Sequence, residues 1–173
     1  MNPNPADDFV KRLCLKCGLC CNGTLFADVR LQTGDDARRL ARRGLPLKTR
    51  AGRPAFPQPC ACFDGALCRI YAARPQHCRD FACGLLKRVQ AGTLKADVAL
   101  RKIAEARRLA DTVRQLLRRL GDEDEQRALA RRYVRVMRQP IDLSASEELV
   151  DGRGELMLAV NDLMHALQRD FLK

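Results

Sequence analysis

Cys14-Leu15-Lys16-Cys17-Gly18-Leu19-Cys20-Cys21 places four thiols within eight residues, and its reading decides what kind of fold can surround it. Five more cysteines follow at Cys60, Cys62, Cys68, Cys78 and Cys83, and none lies beyond them. The 173-residue chain therefore divides into a cysteine-rich first half and a cysteine-free second half. Between Asp28 and Pro59 there are no long apolar runs, and Leu40, Leu45, Leu47 and Phe56 supply most of what could form a core. A segment so poor in apolar residues needs a staple, either disulfides or metal.

Redox compartment selects between the two. Met1 to Val10 contain no apolar stretch of the secretory-signal kind. No run approaches the roughly 18 apolar residues of a membrane-spanning helix. A cytoplasmic location and no membrane partner are expected. In that reducing pool lasting disulfides are rare, and C-x2-C spacing points to metal or redox chemistry. An odd total of nine cysteines also suits disulfides poorly. Metal is the better staple.

Zinc–thiolate bonds are about 2.3 Å long, and the tight turn of C-x2-C returns its second sulfur beside the first. Cys14, Cys17 and Cys20 make two such steps that share Cys17. Cys20 and Cys21 are adjacent, so their side chains diverge in extended backbone. The run is thus a candidate bridge between two neighbouring sites. Cys60, Cys68, Cys78 and Cys83 bring the set to eight thiols, enough for two four-sulfur sites, and Cys62 is the spare. Zinc sites are usually built from separated C-x2-C pairs, whereas a C-x2-C-x2-C triplet is how bacterial ferredoxins wrap a cubane cluster. The ferredoxin pattern continues to a Cys-Pro; here Cys21 follows Cys20 directly and Asn22 is not proline. Spacing leaves zinc, iron and an iron–sulfur cluster all open.

The formal charge is +11, from 32 Lys and Arg against 21 Asp and Glu. Such a balance can favour nucleic acid or acidic membrane surfaces. Eight thiolates bound to two divalent zinc ions would remove about four units of it. Arg107-Arg108, Arg118-Arg119 and Arg131-Arg132 could contact phosphates, but there is no Trp and there are only two Tyr to stack on bases. A solvated face is the preferred reading. Neither G-x-G-x-x-G nor G-x4-G-K occurs, so no nucleotide or S-adenosylmethionine domain is visible. His77 reads as an exposed neighbour of Cys78, and His165 as structural or solvent-facing. Neither makes a convincing catalytic base.

Along the chain, residues 1–8 read as a loose tail and Phe9, Val10 and Leu13 as a short anchoring turn. Thr24 to Leu31 reads as a strand, and Ala37 to Arg43 as a helix started by Asp35-Asp36 and ended by Gly44. Leu47 to Phe56 reads as a hairpin about Ala51-Gly52, held to a sheet edge by Pro54 and Pro57. Cys68 to Tyr71 reads as a further strand. A helix with Pro75 in its first turn is expected to run to Gly92. From Leu94 the pattern is helical: Ile103, Ala106, Ala110, Val113, Leu117 and Leu120 form one stripe, and Gly121 ends it. Asp122 to Glu125 then favours the N-terminus of a helix faced by Leu129, Tyr133, Val136 and Met137, which Pro140 stops. Ser144 or Ser146 caps a last helix striped by Leu156, Val160, Leu163, Met164, Leu167 and Phe171, with a break at Gly152 or Gly154. The fold class is α+β: a small, irregular cysteine unit with short strands over 9–92, and a helical region over 93–173 that packs on it.

Cys14-x2-Cys17-x2-Cys20-Cys21, Pro59-Cys60, Cys68-Arg69-Ile70-Tyr71 and Arg74-Pro75-x2-Cys78-Arg79-x-Phe81-x-Cys83 together resemble the YkgJ-type CxxCxxCC family. That family is described as zinc- or iron-chelating and includes relatives of the flagellin lysine N-methylase. The resemblance covers residues 14–86 and implies a metal module whose ligands are Cys14, Cys17, Cys20, Cys21, Cys60, Cys68, Cys78 and Cys83. Arg74 and Arg79 fall inside the matching motif, where guanidinium groups would offset thiolate charge and donate hydrogen bonds to sulfur. Tyr71 and Phe81 read as packing beside the cluster.

The leading expectation is a cytoplasmic zinc- or iron-binding protein whose outer surface recruits another protein. An iron–sulfur enzyme, or an accessory for protein modification such as methylation, is a second reading. A basic zinc module on nucleic acid is a third and is not favoured. A reversible thiol switch is a fourth.

Overall fold

The computed structural model describes residues 13–65, 67–140 and 147–172, apart from the side chains of residues 147–149. The tail at residues 1–8, the turn residues Phe9 and Val10, and the capping residues Ser144 and Ser146 lie outside the described residues.

A helical turn over residues 13–17 (α1) carries Cys14 and Cys17 and buries Leu13. Strands β1 (Asp28–Arg30), β2 (Lys48–Arg50) and β3 (Arg53–Pro57) form an antiparallel sheet in the order β1-β3-β2. The expected strand at Thr24–Leu31 thus shrinks to its last part. Thr24 is held in a turn by its N–H donating to Asn22 Oδ1, and the Leu25 N–H returns to the Leu19 carbonyl. The β2–β3 hairpin turns at Ala51-Gly52, both in the left-handed region at φ +47° and +73°.

Against expectation, proline-bearing β3 is the central strand. Two features accommodate it. The carbonyl of Pro54 still accepts from the Leu31 N–H beyond the end of β1. β2 begins opposite Ala55, so Pro57 owes it no hydrogen bond.

Helix α2 (Ala37–Arg42) is capped by Asp36, whose carboxylate accepts from the Arg39 N–H at 2.9 Å. It leans on the sheet, where Val29, Leu31, Leu40, Leu45, Phe56, Cys62 and Ile70 form a small core. Cys68 to Tyr71 is not a strand. A single bridge between Phe63 and Cys68 is followed by a 3-10 turn over Tyr71–Ala73.

The expected helix from Pro75 to Gly92 is two helices. α3 (Gln76–Asp80) stops at Phe81, and α4 (Gly84–Gln90) starts after Cys83. The break re-aims the chain between Cys78 and Cys83.

The second half is helical: α5 (Ala96–Arg119), α6 (Leu129–Arg138) and α7 (Glu147–Asp170). Buried Ile103, Ala106, Ala110, Val113 and Leu117 form the expected stripe on α5, which packs along α7. Leu13, Leu19, Leu85 and Leu86 join that core from the cysteine-rich half. On α7 Leu156, Leu163, Leu167 and Phe171 are buried, but Met164 is exposed. The helix runs through Gly152 and Gly154 without a break. A Cβ on Gly152 would lie 3.2 Å from Leu120 Cδ2, so α7 sits close to the end of α5 there.

Asp122 does not sit in the first turn of α6, which has no acidic residue. It is buried and accepts from Arg132 Nε at 2.9 Å and Arg135 Nη2 at 2.8 Å. This side-chain pairing, and not the helix dipole, is how the acidic turn holds α6.

Candidate metal centre

Each cysteine of the run takes its position from a local device. α1 ends at Gly18, whose φ of +66° permits the Gly18 N–H to donate to the Cys14 carbonyl at 3.2 Å. A Cβ at Gly18 would lie 2.8 Å from Phe63 Cζ, so the position also requires the missing side chain. The Cys21 and Asn22 amides both donate back to the Gly18 carbonyl at 2.9 Å, closing a turn that presents Cys20 and Cys21. The Cys60 N–H donates to the Cys21 carbonyl at 2.8 Å and seats the Pro59-Cys60 segment beside the run. Cys68 comes from the Phe63 bridge, Cys78 from α3, and Cys83 from the residue that caps α4.

Cys14, Cys17, Cys20, Cys21, Cys60, Cys68, Cys78 and Cys83 all line one cavity of about 500 Å³ between the two cores. Cys62 is not on its wall. It is buried in the small core, with its thiol donating to the Arg43 carbonyl at 3.4 Å.

The fields of the thiolates fall mostly within two quartets, with Cys20 and Cys21, and Cys14 and Cys21, coupled across them. Burial pushes Cys17 up to about 12, helped by Cys83 and Cys14 and opposed by the Leu19 amide and Arg107. Burial also raises Cys20, with Cys17, Cys21, Cys83 and Cys14 adding to it. Cys14 is raised by burial and by Cys83. Cys83 is raised by burial against the Leu86 and Leu85 amides at the start of α4. On the other side, burial lifts Cys21 to about 11, with Cys68 the strongest thiol neighbour. Burial lifts Cys60 to about 12, with Cys21, Cys62 and Cys68 contributing. Cys78 reaches about 12 through burial and the proximity of Cys21, Cys60 and Cys68. One quartet is Cys14, Cys17, Cys20 and Cys83; the other is Cys21, Cys60, Cys68 and Cys78. They meet at the Cys20–Cys21 peptide.

Packing divides them the same way. Cys17 and Cys83 rest on the large helical core, and Cys60, Cys68 and Cys78 on the small one.

Arg74 stands at the junction. Its positive charge opposes the rise of Cys14, Cys21 and Cys78. It is fixed by donating from Nε to the Tyr71 carbonyl at 3.0 Å, with its Cζ 3.6 Å above the Tyr71 ring. Arg79 also lines the cavity, with its guanidinium donating to the Arg74 carbonyl at 2.7 Å and to Gln76 Oε1. His77 is half-buried and not exposed, packed between Phe26 and Phe81 at 5.8 and 6.0 Å between ring centroids. His165 is exposed.

Sequence reasoning missed Gln58. Its side chain is buried on the cavity wall, and Oε1 has no hydrogen-bond partner. No spacing or motif signals it, since its burial depends on the hairpin folding over the cysteines.

Four of the paired arginines are neutralised by carboxylates, and a fifth is tied to backbone. Arg107 donates to the Lys16 carbonyl, Arg118 pairs with Glu125, Arg119 with Glu155, Arg131 with Asp28, and Arg132 with Asp122.

Among the described residues, no three His, Cys, Asp or Glu side chains are gathered closely enough to hold a single ion as they stand. The thiols surround a space and do not close on a point. Even so, the donor set fits a metal centre. Eight soft ligands line one cavity, and partial burial disfavours the ionised forms of Cys14, Cys17, Cys20, Cys21, Cys60, Cys78 and Cys83 until positive charge enters. Gln58, whose Oε1 has no hydrogen-bond partner, is also on the cavity wall.

The model of a family described as a putative zinc- or iron-chelating domain, CxxCxxCC, matches residues 13–98. Over those residues this chain belongs to the CxxCxxCC family. The chain matches no curated protein and no solved structure. The CxxCxxCC match takes in α1, the sheet, both quartets and the start of α5. It ends where the cysteine-free helices begin. Among the described residues no helix is long and apolar enough to cross a membrane.

Proposed function

We propose that the chain binds two metal centres in the cysteine-lined cavity, one on Cys14, Cys17, Cys20 and Cys83 and one on Cys21, Cys60, Cys68 and Cys78. We further propose that these are iron–sulfur clusters and not lone zinc ions. One observation supports this reading most: eight thiols line a single cavity of about 500 Å³, which is roomier than two lone ions require. A mononuclear zinc site draws its sulfurs to about 2.3 Å from one ion. A cluster spreads its ligands around a body of iron and sulfide, and four cysteines suffice for each. When bound, such clusters supply one-electron chemistry.

The protein's own residues do the rest. Arg74 offsets thiolate charge where the quartets meet. Leu19, Leu85, Phe56 and Ile70 give the cavity an apolar wall beside the thiols, and the Gln58 side chain places an amide on it.

Zinc is the second reading, and the description of the family favours it equally. Anaerobic purification followed by iron, sulfide and zinc analysis and a visible spectrum separates the two. The iron–sulfur reading expects iron and sulfide in equal amounts, about four to eight of each per chain, with absorption near 400 nm. Two zinc ions per chain and no sulfide would overturn it while leaving two metal sites in place. A fully folded protein without any bound metal would overturn both.

A further inference from the structure

One face of α7 is unexplained by the cavity. Its buried side lies on α5, yet its outer side exposes Val150, Met157, Leu158 and Met164, with Leu172 just past its end, each between 42 and 69% exposed. Scattered exposed apolar residues need no explanation, but an ordered row of them does.

The order is symmetric about Asn161. Leu158 and Met164 lie three residues to either side of it, Met157 and His165 four, Gly154 and Gln168 seven, and Val150 and Leu172 eleven; all nine positions are exposed. From Val150 to Leu172 the row takes six steps of three or four, about 3.7 residues each, close to the 3.6 of a straight helix and to the 11-residue period of helices packed without a left-handed supercoil. A two-fold axis through Asn161 sets each position n residues before it against the partner's position n residues after it. Leu158 then meets the partner's Met164, and Val150 meets the partner's Leu172. Gly154, where an added Cβ would find nothing within 4 Å, leaves room for the partner's Gln168.

Charge follows the same symmetry. Asp151 lies ten residues before Asn161 and Arg169 eight after it; at 100° per residue both fall about 80° from it, on one flank. The two-fold axis sets like flank against like flank, so Asp151 faces the partner's Arg169, which in its own chain also pairs with Asp170 and Glu105, within about 3 Å of the same level. The seam from residue 150 to 172 is about 33 Å long. That is enough to bury on the order of the 1,000 Å² that separates specific interfaces from incidental ones.

We propose that the protein is a homodimer, with α7 packed antiparallel on the α7 of a second copy about a two-fold axis at Asn161. Sedimentation of the metal-loaded full chain across micromolar concentrations tests it. The expected species has twice the 19.4 kDa of one chain. Leu158→Glu combined with Met164→Glu sets carboxylates against each other and should weaken the dimer by more than about a hundredfold, with metal content unchanged. Asn161→Leu removes the polar pair on the axis and should tighten it by about tenfold or more. A wild-type chain that sediments as a monomer throughout, a double variant that dimerises as well as wild type, or an Asn161→Leu variant of unchanged affinity would each overturn the proposal.

Discussion

The two thiol quartets rest on unequal foundations. Of Cys14, Cys17, Cys20 and Cys83, Cys17 and Cys83 pack on a core built from α4, α5, α6 and α7, which has long apolar stripes of its own. Of Cys21, Cys60, Cys68 and Cys78, the last three pack on a core of seven buried residues under a three-stranded sheet whose outer strands have three residues each. A sheet so small is marginal without further support. The contrast teaches that one metal centre would decorate a fold, whereas the other would create one.

Metal removal should break this comparison or secure it, and has the largest expected effect. Structural thiolate–metal sites contribute apparent free energies of about 10 kcal/mol or more. A strong chelator under anaerobic conditions should therefore expose the amides of residues 28–57 to hydrogen exchange, while those of α5 and α7 stay protected. Loss of protection in both regions together would show one cooperative unit. Single variants sharpen the point: Cys60→Ala and Cys83→Ala should each halve the metal content, but only Cys60→Ala should release the sheet.

Next in size is the test of what holds the helical half without metal. Arg132 and Asp122 are both 2% exposed and paired at 2.9 Å. Arg132→Met leaves Asp122 buried with only Arg135 as partner and should cost about 3–5 kcal/mol in denaturant unfolding of the chelated protein.

A smaller effect lies at the C-terminal end of α7. Burial opposes ionisation of Asp170, but hydrogen bonds from Lys102, Arg169 and Arg88 outweigh it and hold the carboxyl below its ordinary 3.8. A depressed carboxyl stabilises the fold above its unfolded value and loses that contribution as pH falls through the folded one. Asp170→Asn should cost about 1–3 kcal/mol at neutral pH and flatten the decline in stability below about pH 4. The sheet-side quartet should show no change in metal content.

The smallest expected effect is at Cys62. Cys62→Ala removes a thiol that packs in the small core and donates to the Arg43 carbonyl. It should cost about 1 kcal/mol or less and leave metal content at the wild-type value. A loss of metal would make Cys62 a ligand.

Much of this was legible in the residues. The stripe on α5 follows from its apolar period, and α2 from Asp36 and Gly44, because those signals are local. The eight cysteines that line the cavity, with Cys62 set apart, follow from spacing. The failures share a cause: tertiary contacts overrode local pattern. Pro54 and Pro57 predict an edge strand, but β2 is too short to reach Pro57 and Leu31 supplies the bond to Pro54. The interruption between α3 and α4 has no Gly or Pro at Phe81–Cys83 to announce it. Gly152 and Gly154 suggest a break, yet Gly152 is where α7 draws close to Leu120. Asp122 reads as a dipole residue because nothing nearby in sequence reveals Arg132 and Arg135 folding back on it.

The junction of the quartets has one more implication. Cys20 and Cys21 are covalent neighbours with α-carbons about 3.8 Å apart, and each belongs to a different quartet. Whatever enters one compartment adjusts the backbone and the local potential of the other through a single peptide link. Occupation of either half of the cavity would therefore change the terms on which the other is filled, and by the same amount in both directions.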